Sequence, residues 1–387
     1  MRDWFYLVFA AAGVGVAALK GFLYAHVLGE VEYAAIGYYL LVLGFGGLVV
    51  GSGVMLRAHT ELPVMDPAQR VAFIAQGRGV GFIFWLGLGV PSILMGSFFW
   101  EFSLFSLTLL QVFIMFLFTL DVVARKSDGD FIGYARSVFA RNFLLLVGGV
   151  SVAHATGSAR LSILSEVLCG LLACGNIVVN WVLNFKLPTI SYFKKSLRFV
   201  PVSLLGGVGQ YIDRLCASVL LTLTAFSVYS YLSLLMVGAL AVQQIVNTKV
   251  ITLLSVRCAE SPRLAFLYLL RVSASVFCVS FVLMLCAAYA LFFSWFAAAW
   301  VDVTPVVVFL FVVGSAFKAA EFFSSFLVVM HRKKLLSLIQ LASVLGYALL
   351  AVLSYSAGFE IFVLFMVIGM AIYTFALMLV SWRVSLV

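Results

Sequence analysis

Long apolar segments, separated by short polar ones, occupy almost the whole of the 387-residue chain. Stretches such as FVLMLCAAYALFF (281–293) and VVVFLFVVG (306–314) show no alternation of polar and apolar residues. Segments of about 20 apolar residues match the hydrocarbon thickness of a bilayer. Lipid offers no partner to an unpaired backbone group, so these segments are predicted to be helices. A transmembrane barrel would instead show segments of about ten residues with alternating polarity.

The apolar pattern predicts an all-α, polytopic membrane protein of about twelve transmembrane helices in two six-helix lobes. The predicted spans are 4–27, 33–55, 79–99, 103–122, 137–155, 161–184, 199–222, 225–248, 268–292, 304–329, 335–356 and 360–381. The segment 186–198 is predicted to be a cytoplasmic linker between an N-terminal lobe, 1–185, and a C-terminal lobe, 199–387.

Composition supports a membrane protein, with 65% hydrophobic and only 10% charged residues. Soluble domains are usually about half apolar and a quarter charged. The six cysteines form no CxxC motif and have no histidine at the spacing of a zinc site, so they are interpreted as small packing residues. The net charge of +9 is spread over short connections rather than gathered in one patch, which argues against a nucleic-acid partner.

The positions of the basic residues predict the orientation in the membrane. With a cytoplasmic N-terminus, the inner segments hold 20 of the 24 Lys and Arg residues, and the outer connections hold Arg160 alone. The positive-inside rule therefore predicts cytoplasmic N- and C-termini and an even number of spans. The short outer connections leave little room for an enzyme site on that face, so no enzymatic activity is expected. The longest connection, 56–78, is predicted to be a cytoplasmic hinge or interfacial turn.

Several ionisable residues fall inside the predicted spans, where each costs about 2.5–3.5 kcal/mol at a helix centre. They are Lys20, Glu166, Asp213, Arg214, Lys318 and Glu321. Lys20 has no acid within helical reach, which leaves Glu166 or a substrate anion as its partner. Asp213 and Arg214 are adjacent in sequence and point about 100° apart, so each needs its own partner. Lys318 and Glu321 are three positions apart and either neutralise one another or serve a function.

Polar faces on three spans predict a hydrated cavity inside the bundle. Ser162, Glu166 and Asn176 lie on one face of span 6, and Gln210 and Arg214 on one face of span 7. Span 8 ends with Gln243, Gln244, Asn247 and Thr248. Arg141, near the start of span 5, is interpreted as a residue that snorkels to the cytoplasmic interface.

Two halves of the chain share features that indicate a parallel six-helix repeat. Spans 1 and 7 each carry a cation late in the helix, at Lys20 and Arg214, and the next spans open with AAIGYYLLVLG (34–44) and FSVYSYLSLLMVG (226–238). Parallel repeats occur in secondary transporters, whose substrate sites lie near the midplane between the halves. Transport is therefore the predicted activity.

Two longer stretches resemble the polysaccharide (O-antigen type) flippases of the multidrug/oligosaccharidyl-lipid/polysaccharide exporter superfamily. One is VLGEVEYAAIGYYLLVLGFGGLVVGSGVMLRAHTE (27–61) and the other is RFVPVSLLGGVGQYIDRLCASVLLTLTAFSVYSYL (198–232). This resemblance implies a flippase of the bacterial inner membrane that moves an undecaprenyl-pyrophosphate-linked oligosaccharide to the periplasmic leaflet by alternating access. Lys in span 1 replaces the Arg that is commoner in that family.

The resemblance also implies roles for the residues inside the spans. Lys20, Arg214 and Lys318 are expected to bind the pyrophosphate, and Asp213, Glu166 and Glu321 are the candidates for coupling to protons or sodium. The candidates for sugar contact are Tyr24, Gln210, Asn176 and Gln243. Expected partners are the lipid-linked oligosaccharide, membrane lipids and other glycan-assembly proteins, with the chain itself a monomer and no bound cofactor.

Two other functions remain open from the sequence. A multidrug or cation antiporter of the same superfamily would be favoured by an acid-dominated cavity, whereas the six charges inside the spans are balanced. A glycan polymerase or glycosyltransferase would need an acidic motif, for which KSDGDF (126–131) provides the candidates Asp128 and Asp130. A turn explains that segment equally well.

Overall fold

A computed structural model describes residues 2–99, 102–293 and 298–386. In this part of the chain the secondary structure is helical throughout, in fifteen α-helices and two short 3₁₀ turns. The helices of the first half are α1 Arg2–Val27, α2 Glu30–Gly51, α3 Val54–Glu61, α4 Pro67–Phe99, α5 Phe102–Ser127, α6 Phe131–Thr156, α7 Ala159–Leu183 and α8 Ile190–Leu197. Those of the second half are α9 Val200–Leu220, α10 Leu223–Glu260, α11 Pro262–Phe292, α12 Pro305–Ala319, α13 Phe323–Val329, α14 Lys333–Ser354 and α15 Phe359–Ser385.

The structure confirms the all-α membrane fold. Ten stretches of the described residues are long and apolar enough to cross a membrane. The other two predicted spans coincide with α1 and α9. Gln210, Asp213 and Arg214 lie within α9 and lower its hydropathy, as expected for a helix that carries charge inside a bundle. Many large apolar side chains face outward, such as Leu172 and Val219 at 78% and 80% exposed, as is typical of a surface in contact with lipid.

The chain forms two compact units, Met1–Gly207 and Val208–Val387. In the first unit, α6 packs between α1 and α7, and α5 packs against α2, α4 and α7. In the second unit, α12 packs against α10, α11 and α15, which makes it the central helix of that unit. The predicted boundary at 186–198 between two lobes stays a prediction.

The structure confirms span 10, predicted over 304–329, as one apolar stretch at Pro305–Val329, but forms it from two helices instead of one. α12 ends at Ala319, and α13 begins at Phe323. The carbonyl oxygen of Ala320 accepts a hydrogen bond from Ser273 at 2.6 Å, and that of Glu321 accepts one from the amide of Gln243. These side chains replace the helical hydrogen bonds that the break removes, as the bilayer interior requires.

Two polar segments that were predicted as connections contain short helices. Segment 56–78 includes most of α3 and the first turns of α4, and 186–198 includes α8. Arg57 is 3% exposed and joins these two short helices. Its guanidinium donates to both carboxylate oxygens of Glu61 at 2.8 Å and to Ser196 at 2.8 Å, and it lies over the ring of Tyr192. Burial lowers the pKa of Arg57, but hydrogen bonding to Glu61 outweighs this effect and raises the pKa. The Arg57 guanidinium therefore stays charged.

Candidate functional site

Glu166 is the centre of a buried polar cluster in the first unit, called here the Glu166 cluster (Lys20, Tyr24, Tyr39, Ser162 and Glu166). The side chain of Glu166 is fully buried, and Lys20 donates to its Oε2 atom at 2.7 Å. Tyr24 donates to Oε1 at 2.5 Å and Tyr39 donates to Oε2 at 2.8 Å. The hydroxyl of Ser162 lies 2.9 Å from that of Tyr24. Both carboxylate oxygens are thereby hydrogen-bonded, as a buried charge requires.

Helices α1, α2 and α7 contribute the side chains of this cluster, and α6 packs against it with a glycine. Gly149 of α6 faces the cluster, where a Cβ atom would lie 2.0 Å from the Tyr24 hydroxyl and 2.8 Å from Cγ of Glu166. Ser162 donates to the Gly149 carbonyl at 2.7 Å. The contact between α6 and α7 therefore depends on the absence of a side chain at position 149.

The second unit contains a comparable arrangement, called here the Asp213 cluster (Asp213, Tyr229 and Lys318). Asp213 is fully buried, and Lys318 of α12 donates to its Oδ1 atom at 2.9 Å. Tyr229 of α10 donates to Oδ2 at 3.1 Å, and its ring packs edge-on against Phe311 and Phe362. Lys318 also donates to the Gln210 carbonyl at 3.2 Å. Lys318 thus pairs with Asp213 and not with Glu321, because α12 ends between positions 318 and 321.

Arg214 and Glu321 lie outside the two salt bridges, Lys20–Glu166 and Lys318–Asp213. Arg214 donates to the Ser233 carbonyl at 3.3 Å, its guanidinium lies over the ring of Tyr211, and its buried Nε atom has no hydrogen-bond partner. The carboxylate of Glu321 accepts hydrogen bonds from the backbone and hydroxyl of Ser324, both at 2.9 Å. Among the described residues, neither Arg214 nor Glu321 forms a salt bridge.

The predicted sugar-contact residues occupy different positions. Tyr24 is buried in the Glu166 cluster, and Gln243 donates to the helix break. Gln210 on α9 and Asn176 on α7 are exposed, each in its own unit. Sugar contact by these residues stays a prediction.

The acidic motif considered for an enzyme has structural partners. Asp130 accepts from the backbone of Gly133 at 2.9 Å and caps α6, and Asp128 pairs with Arg70. The described residues also contain no cluster of three or more His, Cys, Asp or Glu side chains that could hold a metal ion.

Sequence reasoning missed three buried polar residues. Tyr39 was not expected to bind Glu166, although a Tyr pair inside an apolar helix was visible in the sequence. The interpretation of Arg141 as a snorkelling residue is wrong, because it is 6% exposed and its guanidinium lies over the Phe118 ring. Gln111 is fully buried in α5, and the isolated amide within LTLLQVFIM (107–115) was a signal of a polar interior.

Comparisons with solved structures show which known fold the chain shares. The lipid II flippase MurJ in an inward closed conformation matches with a TM-score of 0.73 and 14% identity, over 98% of this chain and 90% of that one. An outward-facing multidrug resistance transporter of the MATE family and MOP superfamily matches with a TM-score of 0.60 and 15% identity, over 98% and 94%. The MATE transporter ClbM in complex with Rb⁺ matches with a TM-score of 0.55 and 13% identity, over 99% and 92%.

No protein-family model matches the sequence, and no curated protein matches it. At these identities the structural likeness shows the fold, which is that of MurJ and the MATE transporters of the MOP superfamily.

Proposed function

We propose that this protein is a flippase that moves a lipid-linked oligosaccharide with an undecaprenyl-pyrophosphate anchor from the cytoplasmic to the periplasmic leaflet by alternating access. The fold is that of a protein whose substrate is itself a lipid, and it covers nearly the whole chain. A flippase also has to bind an anionic headgroup within the membrane, which requires a cation that is not already neutralised.

Arg214 is the observation that carries the proposal. Lys20 and Lys318 are held by Glu166 and Asp213, whereas Arg214 forms no salt bridge among the described residues and retains a guanidinium N–H without a partner. A guanidinium presents planar, paired donors that suit phosphate oxygens. Arg214 is therefore the headgroup contact, and Lys20 and Lys318 bind substrate only if their ion pairs open.

Glu321 is the coupling group in this proposal. Of the three carboxylates predicted for coupling, Glu166 and Asp213 each accept from a lysine and at least one tyrosine. Glu321 accepts from Ser324, forms no salt bridge among the described residues, and lies in the break between α12 and α13. A carboxylate without a neighbouring cation takes up a proton or binds a cation most readily.

The test uses proteoliposomes that contain a fluorescent undecaprenyl-pyrophosphate-linked sugar and a quencher that cannot cross the membrane. Loss of one charge-assisted hydrogen bond corresponds to about 1.5–3 kcal/mol, so Arg214→Ala should slow translocation roughly 10- to 100-fold. Arg214→Lys should retain part of the rate. Arg263→Ala, at an exposed position on α11, is the matched control and should translocate at the wild-type rate.

If the Arg214→Ala protein translocates at the wild-type rate, the proposed role of Arg214 is wrong. If the wild-type protein moves no lipid-linked sugar, the proposed flippase activity is wrong.

A multidrug or cation antiporter is the second candidate, favoured by the carboxylate of Glu321, which forms no salt bridge among the described residues, and by the MATE fold. Uptake of a lipophilic cation driven by a pH gradient, abolished by Glu321→Gln, would identify that activity.

A further inference from the structure

The connection between α7 and α9, residues 185–198, carries exposed cations and is called here the α8 segment. It contains four Lys and Arg residues and no Asp or Glu. All four are exposed: Lys186, Lys194, Lys195 and Arg198. None of them forms a salt bridge within the described part of the chain. The outward face of the α8 segment therefore has a positive charge that no described side chain neutralises.

Large apolar side chains are exposed in the same segment. Leu187 and Ile190 are 68% and 75% exposed, and Phe185 and Leu197 are also exposed. The positive-inside rule accounts for the side of the membrane on which the cations lie, but it does not account for aliphatic side chains beside them. Exposed aliphatic groups next to cations instead indicate contact with a lipid surface, where both find a favourable environment.

The helix α8 arranges these two kinds of residue in adjacent strips along its exposed side. At about 100° per residue, Ile190 and Leu197 lie about 20° apart and form an apolar strip. Lys194, Arg198 and Lys195 follow within an arc of about 100°. An interfacial helix has this arrangement, because its apolar strip reaches the acyl chains while its cations stay among the headgroups.

The α8 segment packs against a part of α4 that is predicted to lie in the membrane. The hydroxyl of Tyr192 donates to the Phe73 carbonyl at 3.2 Å. A Cβ atom at Gly79 would lie 2.5 Å from the carbonyl oxygen of Lys186, so the chain passes close to α4 at that point. Both contacts fall within Pro67–Gly89, a stretch long and apolar enough to cross a membrane. The α8 segment therefore lies at the membrane surface and not in the aqueous phase beyond it.

Hydrogen bonds on the inward side hold the α8 segment in place. The hydroxyl of Thr189 donates to the Gln76 side chain at 2.8 Å. Arg57 of α3 donates to Ser196 at 2.8 Å and to the Tyr192 carbonyl at 3.3 Å. Because these contacts fix one face of α8, the opposite face presents its cations and aliphatic groups to lipid with little further ordering.

We propose that the outward face of the α8 segment binds anionic phospholipid headgroups, such as those of phosphatidylglycerol, at the membrane surface beside α4. The four cations contact the phosphate groups, and Leu187, Ile190 and Leu197 enter the acyl region below them. A surface with four cations and no acid complements an anionic lipid, whereas a neutral lipid gains only the apolar contact. The interaction concerns the surrounding phospholipid and does not depend on the proposed transport substrate.

Fluorescence quenching at α8 in nanodiscs tests this interaction with the full-length protein. Ser191, which is exposed on α8, is replaced by cysteine in a background without the six native cysteines and is labelled with bimane. Phosphatidylglycerol and phosphatidylcholine, each with a nitroxide near the top of one acyl chain, are compared as quenchers at equal mole fraction in phosphatidylcholine nanodiscs. One cation near a lipid surface corresponds to about a fivefold preference for anionic lipid. Phosphatidylglycerol should therefore associate at least about fivefold more strongly than phosphatidylcholine, and high salt should reduce this preference.

Two variants of the labelled protein separate the charged strip from the apolar strip. Lys194→Gln/Lys195→Gln/Arg198→Gln should be quenched to nearly equal extents by the two lipids, because its α8 retains no cation. Ile190→Ser should be quenched less by both lipids, because the apolar strip no longer holds α8 among the acyl chains. The four replaced side chains are exposed, so both variants should fold as the parent protein does.

The matched control is Arg332→Gln/Lys333→Gln/Lys334→Gln, which removes the same charge from another exposed segment. It should keep the preference of the parent protein. A preference that survives in the α8 triple variant, or that the control also loses, would overturn the proposal. Absence of quenching by both lipids in the parent protein would show that α8 faces water and would overturn it as well. Unchanged quenching in Ile190→Ser would contradict the apolar contact.

Discussion

Each of the two units holds a buried carboxylate between a lysine and a tyrosine. Lys20 and Tyr39 bind Glu166, and Lys318 and Tyr229 bind Asp213. Tyr39 lies on α2 and Tyr229 on α10, the second long helix of each predicted repeat. The tyrosines donate to carboxylate oxygens that the lysine alone would leave partly unpaired, which is what makes a buried ion pair tolerable.

The Glu166 cluster predicts strong coupling between Lys20 and Glu166. Lys20→Met leaves a buried carboxylate without its cation, and Glu166→Gln leaves a buried lysine without its anion, so each should destabilise the protein by about 3–5 kcal/mol. The double variant removes both charges and should cost much less than the sum of the single changes. Unfolding free energies measured in detergent with increasing denaturant provide the double-mutant cycle.

Asp128→Asn is the control for this cycle, because the pair of Asp128 with Arg70 lies at the surface with the aspartate side chain 55% exposed. Its loss should cost less than about 1 kcal/mol. Strict additivity of the Lys20 and Glu166 variants would show that the two side chains do not interact, contrary to the 2.7 Å contact.

The sequence predicted the ionised residues inside the spans but only part of their pairing. Lys20 and Glu166 are 146 positions apart, and Glu166 was one of two partners considered for Lys20. Lys318 and Asp213 are 105 positions apart and were not paired in advance. Helical spacing allowed Lys318 to pair with Glu321, but that pair does not form because α12 ends before Glu321. Contacts between distant helices depend on packing, which a pattern along one helix does not contain.

At the scale of helices, the long apolar elements were predictable and the short polar ones were not. Twenty-residue apolar runs have one stable form in lipid, so the spans follow from composition. α3 and α8 are only eight residues long and are too short to be stable as isolated helices, so their formation depends on tertiary contacts. The hydrogen bonds from Arg57 of α3 to Glu61 and to Ser196 of α8 are such contacts.

We expect the packing of α8 against α3 to depend on Gly53, which lies between α2 and α3. Its φ of +74° is unfavourable for other residues, and a Cβ atom there would lie 2.2 Å from the Ser196 carbonyl oxygen. Gly53→Ala should cost about 1–2 kcal/mol in backbone strain alone and should displace α8 from α3. Hydrogen–deuterium exchange of the peptide that contains 190–197 measures the displacement as faster exchange.

Gly47→Ala is the matched control for this change. Gly47 lies within α2, and a Cβ atom there would have nothing within 4 Å. Alanine in a helix interior is favoured over glycine by about 0.5–1 kcal/mol, so this variant should be at least as stable as the wild type, with α8 exchange unchanged. Unaltered α8 exchange in Gly53→Ala would show that α8 does not depend on the Gly53 turn.

At the scale of the whole molecule, the placement of basic residues predicts the orientation in the membrane. Twenty of the 24 Lys and Arg residues fall on one predicted side, and the connections of the other side hold only Arg160. Asp302, between α11 and α12, and Lys334, at the start of α14, are exposed and lie on opposite predicted sides. With an even number of spans, both termini are predicted to lie with Lys334 in the cytoplasm.

Two single-cysteine variants test this orientation in a background that lacks the six native cysteines. Asp302→Cys should react with a membrane-impermeant maleimide in intact spheroplasts, and Lys334→Cys should react only after the membrane is opened. The reverse pattern would place the basic segments outside the cytoplasm, and the orientation predicted from the positive-inside rule would then be wrong. Labelling of both positions from outside would mean an even number of crossings between them, in conflict with α12 and α13 acting together as one span.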